Sequence, residues 1–384
     1  MKALTFRPYQ QIGIEQGKNK RKQTGTAEKK LLMKLKKKDN WIFRQRFAKT
    51  LQFVTKKRKA QPLSLETPKS IVILARECYG DCIMLTPLIG TLKKEYPNLS
   101  IFIIAFSRII FDFFSADTNV TAVYHAKRNM KRYYTELLPQ KFDLLFNPKE
   151  HPSIHFLIQT TLIRARRKIG HFSPYHEGLY DHLIELGPGT HESAKNLSLM
   201  SALGSNVLHP CKPYLPVMPV SADIAEFLRT IPAGSCLGIN ISAGHIGGRR
   251  TPQQWSELIR SFPDETFIIF SAPQDLEEKK ELEQPHQNVL PSPSTRNLYE
   301  VGEIVKQLKI LITPDTSLVH IASCSDTPLI ALYRERFADR TQFAPLSTLQ
   351  KVIVSPTDNV MAIESATVST ALRQMLNDMA MNSA

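Results

Sequence analysis

The chain has 384 residues, 42% of them hydrophobic, enough to build two packed domains. Its net charge of +15 is uneven: residues 1–66 carry 19 of the 50 Lys and Arg but 4 of the 35 Asp and Glu, and the rest carries 31 of each. A neutral body argues against a nucleic-acid-binding fold, which would carry its basic stripe on the folded part, and no apolar run of 18 residues exists to span a bilayer.

The basic leader, residues 1–66, holds Lys29-Lys30 and Lys34 to Lys38, then Trp41, Phe43, Phe47, Leu51 and Val54 at helical spacing among Arg44, Arg46, Lys49 and Lys56 to Lys59. Basic residues around an aromatic, amphipathic face suit an anionic membrane surface, which residues 29–59 would contact. A solubilising tail and a nucleic-acid arm are the alternatives. The leader has no apolar core or small-residue cleavage site of the secretory kind. The five cysteines are scattered without a zinc spacing or a disulfide framework, which fits a reducing cytoplasm.

Strand and helix patterns then alternate. Ser70–Ala75 reads as a buried strand, Arg76–Asp81 as a loop, and Ile83–Tyr96 as a helix. Strands follow at 101–106, 120–124 and 142–146, and a helix at 197–203 closes residues 67–208 as one domain. Unbroken apolar strands between helices predict a parallel sheet covered on both faces. Pro210, Pro213, Pro216 and Pro219 recur every third residue, a stiff extended connector over 209–221. A second α/β domain, 222–356, has strands at 237–241, 266–270, 309–313 and 328–333, and a last helix follows within 357–384. Two such halves leave a cleft, and ligands of these sheets sit outside the carboxyl ends of strands.

Three post-strand segments carry chemistry. Gly80-Asp81 precedes a helix: Asp81 is an N-cap or a general base. Ser242-Ala-Gly244-His245-Ile-Gly247-Gly248-Arg249-Arg250 combines glycines, which let backbone N–H groups approach a ligand, with a pair of arginines that fork onto phosphate or stand in solvent. It is neither a Walker loop nor a dinucleotide fingerprint. Asp315-Thr316-Ser317-Leu-Val-His320 follows the strand Ile310-Leu-Ile312 and opens a helix whose positive end is an anion site.

Together these motifs resemble glycosyltransferase family 9, the ADP-heptose:lipopolysaccharide heptosyltransferases. The residues concerned are Gly80-Asp81-x4-Thr86-Pro87-x4-Leu92-Lys93-x2-Tyr96-Pro97, Arg249-Arg250-Thr251-Pro252-x2-Trp255, and Asp315-Thr316-Ser317-x2-His320-x-Ala322 with Pro328–Tyr333. The resemblance covers roughly residues 70–355. It implies a GT-B fold, two Rossmann-like domains whose parallel sheets face a central cleft, here with a basic N-terminal helical extension. It implies inverting transfer from a nucleotide-sugar, ADP-heptose foremost, to a lipopolysaccharide-type or lipid-linked acceptor, with no metal and no cofactor, at the inner face of the cell membrane.

By position the resemblance makes Asp81 the base and Arg249 or Arg250 the group that neutralises the leaving diphosphate. It puts Thr316, Ser317 and His320 at the pyrophosphate with Asp315 nearby, Ser242 in the donor loop, Asp275 or Glu277 on the ribose, and Arg296 at the nucleobase. Ser317 stands where the family has Gly, and Tyr333-Arg334-Glu335-Arg336 replaces a Gly-containing turn. These departures bear on the choice of sugar, and they keep open a catalytically silent sugar-nucleotide-binding protein of the same fold.

Overall fold

The computed structural model describes residues 40–55, 58, 67–76, 78–244, 246–336 and 341–383. The first sheet comprises β1 (Ser70–Leu74), β2 (Ser100–Ala105), β3 (Ala122–His125), β4 (Lys141–Asn147), β5 (Arg164–His171) and β6 (His182–Ile184), in the order β3-β2-β1-β4-β5-β6. Every pairing in it is parallel. The second comprises β7 (Cys236–Asn240), β8 (Thr266–Phe270), β9 (Leu308–Pro314), β10 (Leu329–Tyr333) and β11 (Gln350–Val354), in the order β11-β10-β9-β7-β8, again all parallel. Central strands are buried along nearly their whole length, as sheets covered by helices on both faces require.

The sequence pattern foresees β1–β4 and β7–β10 to within two residues and misses β5, β6 and β11. β5 begins Arg164-Ala-Arg-Arg, and its first half alternates between exposed and half-buried before Lys168 to His171 turn inward. Strand order supplies this pairing, with Leu144 opposite Arg167 and Phe146 opposite Ile169.

Residues 40–54 form a helix that packs on the first domain. Ala48 is fully buried, and Phe47 and Leu51 lie against the core containing Leu74, Phe106 and Phe156. Gln52 Nε2 donates to the carbonyls of Pro174 (3.0 Å) and Glu177 (3.1 Å), and Arg58 pairs with Asp181 at 2.9 Å. The foreseen apolar face is therefore divided. Phe47 and Leu51 point into the protein, whereas Trp41, Phe43 and Val54 stay exposed. Residues 29–39 lie outside the described residues. No helix among the described residues is long and apolar enough to cross a membrane.

The proline-rich connector forms neither helix nor strand between 210 and 221. It is tied along the helix Tyr79–Glu95: Cys211 N donates to Thr91 Oγ1 and Tyr214 N to Thr86 Oγ1, both at 3.0 Å. Thr86 also resolves a local problem. Pro87, inside this helix, has no N–H for the carbonyl of Ile83, and the Thr86 hydroxyl donates to that carbonyl instead, at 2.8 Å.

Candidate active site

The Tyr79–Glu95 helix begins four residues earlier than its apolar pattern suggests, so Gly80 and Asp81 sit in its first turn and not in a loop. Asp81 Oδ2 accepts the backbone N–H of Cys78 at 3.4 Å, and its Oδ1 lies 3.6 Å from Arg76 Nε. Arg76 also pairs with Glu192, Glu192 with Lys195 (3.0 Å), and Lys195 with Glu150 (2.9 Å). Charges thus alternate in sign from Asp81 to Glu150. Glu192 and Lys195 are almost fully buried, a placement that only mutual pairing permits. The sequence gives Asp81 by its motif but not its partners, because Arg76 and Glu192 are 116 residues apart.

The second site lies at the carboxyl edge of the other sheet. After β7, Ser242 Oγ donates to Asp275 at 2.6 Å and accepts the Ala272 N–H at 2.7 Å. Arg249 pairs with Asp275 (3.0 Å) and Glu278 (2.6 Å), so Ser242, Arg249 and Asp275 form one cluster. After β9, Thr316 caps the helix Ser317–Ser325. Its hydroxyl accepts from Leu318 N at 3.3 Å and from Asn240 Nδ2 at 3.2 Å, leaving Ser317 at the first helical position. Asp315 N–H donates to the carbonyl of Leu332. After β10, Arg334 lies 3.4 Å from Asp358, beside the Gly247 turn. Adjacent strand ends β10-β9-β7-β8 therefore bring Arg334, Thr316, Ser242 and Asp275 to one rim. A small cavity of about 90 Å³ extends it past β8, between Pro273, Leu276, Lys279 and Thr295.

The two edges meet at Gly80. A Cβ built there would lie 2.8 Å from His320 Cδ2, so the absence of a side chain lets the first-domain helix rest on the His320 ring. His320 is 4% exposed and its Nδ1 has no hydrogen-bond partner among the described residues. Burial, and then the nearby His191, pull its pKa down to about 3, so the ring is neutral at physiological pH. His191 also spans the seam, with Nε2 3.0 Å from the carbonyl of Ala344.

Three of the residues singled out in the sequence stand apart from these clusters. Arg250 is buried under the C-terminal helix Ser365–Ser383, donating to Ile363 O (2.8 Å) and Ser365 Oγ (3.3 Å), with its guanidinium 5.3 Å from the Trp255 ring. Burial lowers its pKa to about 10. Glu277 is 83% exposed and pairs with Lys280; its neighbour Glu278 is the one turned toward Arg249, an offset that the helical pitch decides. The Arg296 side chain is exposed, and its backbone N–H donates to Glu300 at 2.5 Å.

Two doubly wound parallel sheets, joined by an extended connector and meeting at their carboxyl edges, define a GT-B fold, that of a large class of glycosyltransferases. Residues 233–370 match glycosyltransferase family 9 (heptosyltransferase), and residues 38–197 match a family of unknown function (DUF6913), whose span includes the 40–54 helix. The lipopolysaccharide heptosyltransferase 3 of Escherichia coli is 24% identical over 293 residues, covering 66% of this chain and 80% of that protein. The E. coli heptosyltransferase WaaC, solved with ADP, superposes with a TM-score of 0.62 at 16% identity over 80% of this chain and 99% of its own. The family 9 glycosyltransferase of Veillonella parvula gives 0.67 at 14% identity over 82% and 99%. The chain is a glycosyltransferase, and residues 233–370 are where its similarity to family 9 lies.

Proposed function

We propose that this protein transfers a heptose or related sugar from a nucleotide-sugar, ADP-heptose foremost, to a lipopolysaccharide-type acceptor, with inversion and without a metal. The observation that carries the proposal is the contact of Gly80 with His320, because it sets Asp81 one residue from the helix that follows β9. In this reading Asp81 takes the proton of the acceptor hydroxyl as that oxygen attacks the anomeric carbon, and the bond to the nucleoside diphosphate breaks on the opposite face. A leaving diphosphate is stabilised where positive charge and a helix N-terminus converge. Thr316 and Ser317 supply that terminus, and Arg249 supplies the charge once the diphosphate draws it from Asp275 and Glu278. Asp275 and Ser242 are then free to hold the ribose, and the cavity beside Lys279 borders the nucleobase. Holding both substrates in line across the seam removes much of the entropic barrier.

The relatives give independent support for the donor, since the E. coli WaaC structure contains ADP and a second structure of it contains ADP-2-deoxy-2-fluoro heptose. Titration calorimetry with ADP and GDP sugars tests the reading. Binding of the ADP compound alone, competed by free ADP, is the expected result, and failure to bind any nucleoside diphosphate sugar overturns it. The exposed Trp41, Ile42 and Phe43 next to the lysine-rich stretch support attachment to the anionic inner face of the cell membrane. Co-sedimentation with acidic vesicles should fall when residues 1–39 are removed, and equal binding by both forms would cancel the membrane role.

A further inference from the structure

A cavity of about 400 Å³ opens at the carboxyl edge of the first sheet, within the range of small-ligand sites. Its wall includes Glu150, His171, Phe172, Glu185 and Lys195 from the first domain and Gln342 from the second. β5 ends at His171 and β6 at Ile184, so Phe172 and Glu185 are the first residues past their strands. That is where the chain is free to present a side chain to a ligand. Phe172 is held by a 2.8 Å bond from its N–H to the carbonyl of Ile184, yet 44% of it is exposed. The turn 187–189 closes the wall. Gly189 has φ +74°, which glycine adopts without strain, and Thr190 Oγ1 donates to the Gly187 carbonyl at 2.6 Å.

Among the described residues, the ionisable groups of this wall left open to the cavity are carboxylates, with the Gln342 amide beside them. Glu150 and Glu185 are hydrogen-bond acceptors. Lys195 is already engaged by Glu150 and Glu192, at 2.9 and 3.0 Å. His171 has both ring nitrogens 3.0 Å from carbonyl oxygens, of Pro148 and of Lys195, and offers neither to the cavity. Among the described residues of the wall, a carboxylate or phosphate entering here would face two carboxylates and no unengaged cation. A sugar ring suits the wall better. Its C–H face is attracted to the negative face of an aromatic ring, and its hydroxyl or ammonium groups donate to carboxylates.

We infer that this cavity is an acceptor subsite for a neutral or amino-substituted pyranose, stacked on Phe172 and held by Glu150 and Glu185. The inference rests on the acceptor reading above and deepens it. Glu150 in its wall is linked to Asp81 by the Lys195–Glu192–Arg76 chain of ion pairs. Any anionic group of the acceptor then lies outside this pocket.

Saturation-transfer NMR on the full chain tests it, with methyl glucoside, glucosamine and glucuronic acid as probes and ADP titrated in parallel. Methyl glucoside and glucosamine should bind and glucuronic acid should not. Phe172→Ala should weaken both binders by roughly tenfold while Phe172→Trp retains them. Glu185→Gln should affect glucosamine more than methyl glucoside, and ADP binding should not change in any variant. Phe172 is exposed enough for these substitutions to leave the fold intact. The inference is overturned if glucuronic acid binds as well as the neutral sugar, if Phe172→Ala changes nothing, or if a protein that binds ADP binds none of the saccharides. Saccharide binding with the expected selectivity but no ADP binding would instead remove the donor reading and leave this subsite standing.

Discussion

The carboxyl edges of the two sheets solve different problems with different materials. At the first edge, charges run in an alternating chain, Asp81–Arg76–Glu192–Lys195–Glu150, with Glu192 and Lys195 buried within it. At the second, hydroxyls and amides dominate: Asn240, Thr313 and Thr316 bond one another around a helix N-terminus, and Arg249 on the same rim is already paired. Buried opposite charges fix one another, because moving either one exposes an uncompensated ion. Hydroxyls around a helix end leave N–H groups and the helix dipole to an incoming anion. The first edge is thus built to hold a carboxylate in place, and the second to exchange internal partners for a ligand's oxygens.

Four experiments can break or sharpen this contrast. The largest effect is expected from Asp81→Asn. It should lower turnover by on the order of 10²–10⁴, the usual loss for a missing general base, with ADP affinity unchanged. Turnover within a few fold of the wild type at saturating substrates would reduce Asp81 to a helix-capping residue.

Next come the two adjacent arginines, which the structure separates. Arg249→Ala should weaken ADP binding by about 1.5–3 kcal/mol, the worth of charge-assisted hydrogen bonds, and barely change thermal stability. Arg250→Ala should do the reverse. Losing its bonds to Ile363 and Ser365 and its place beside Trp255 should reduce stability by about 1–3 kcal/mol in a denaturant titration while ADP affinity holds. Similar ADP losses in both variants would contradict the division of roles.

The seam itself is probed by Gly80→Ala. The new methyl group must displace a buried imidazole ring, and overpacking of this kind costs about 1–3 kcal/mol. Activity should fall together with stability, because the ring stands between the two edges. Unchanged melting and unchanged turnover would mean that the domains do not meet there in solution.

The smallest effect per unit of change is the acid response of His320. Its folded pKa of about 3 lies below its ordinary 6.5, so between those values the unfolded chain binds a proton that the folded chain refuses. Stability therefore falls as pH drops from about 6.5 toward 3, by at most about 1.4 kcal/mol per pH unit from this group. His320→Gln should flatten that portion of the stability–pH curve, and an unaltered slope would show that the ring is not held neutral by burial.

Much of the architecture was written in local pattern. Apolar runs such as Ile71-Val-Ile-Leu74 and Leu329-Ile-Ala-Leu-Tyr333 specify buried strands wherever they fall, and Asn297 and Thr316 announce helix starts by their capping chemistry. The proline period announced an extended connector. β5 was illegible because its arginines face outward at an edge that exists only once β4 is beside it. The helix at 40–54 shows the same limit, since its amphipathic spacing suits a membrane surface and a protein core alike, and the neighbouring Leu74 and Phe156 decide that Phe47 and Leu51 go inward.

For the site, the sequence by itself determined which residue types follow which strands: an Asp after β1, a glycine-rich turn and two arginines after β7, an Asp-Thr-Ser cap after β9. These follow from short-range rules of turns and caps, which operate over a few residues. Only the tertiary structure decided that Arg249 turns toward Asp275 while Arg250 is consumed by the C-terminal helix, that Glu278 and not Glu277 joins them, and that Arg76 reaches Glu192. It also decided that Gly80 rests on His320 and that Phe172 faces a cavity shared with Gln342. Each of these depends on a direction in space set by strand order and helix pitch, and residues more than a hundred positions apart carry no local trace of one another.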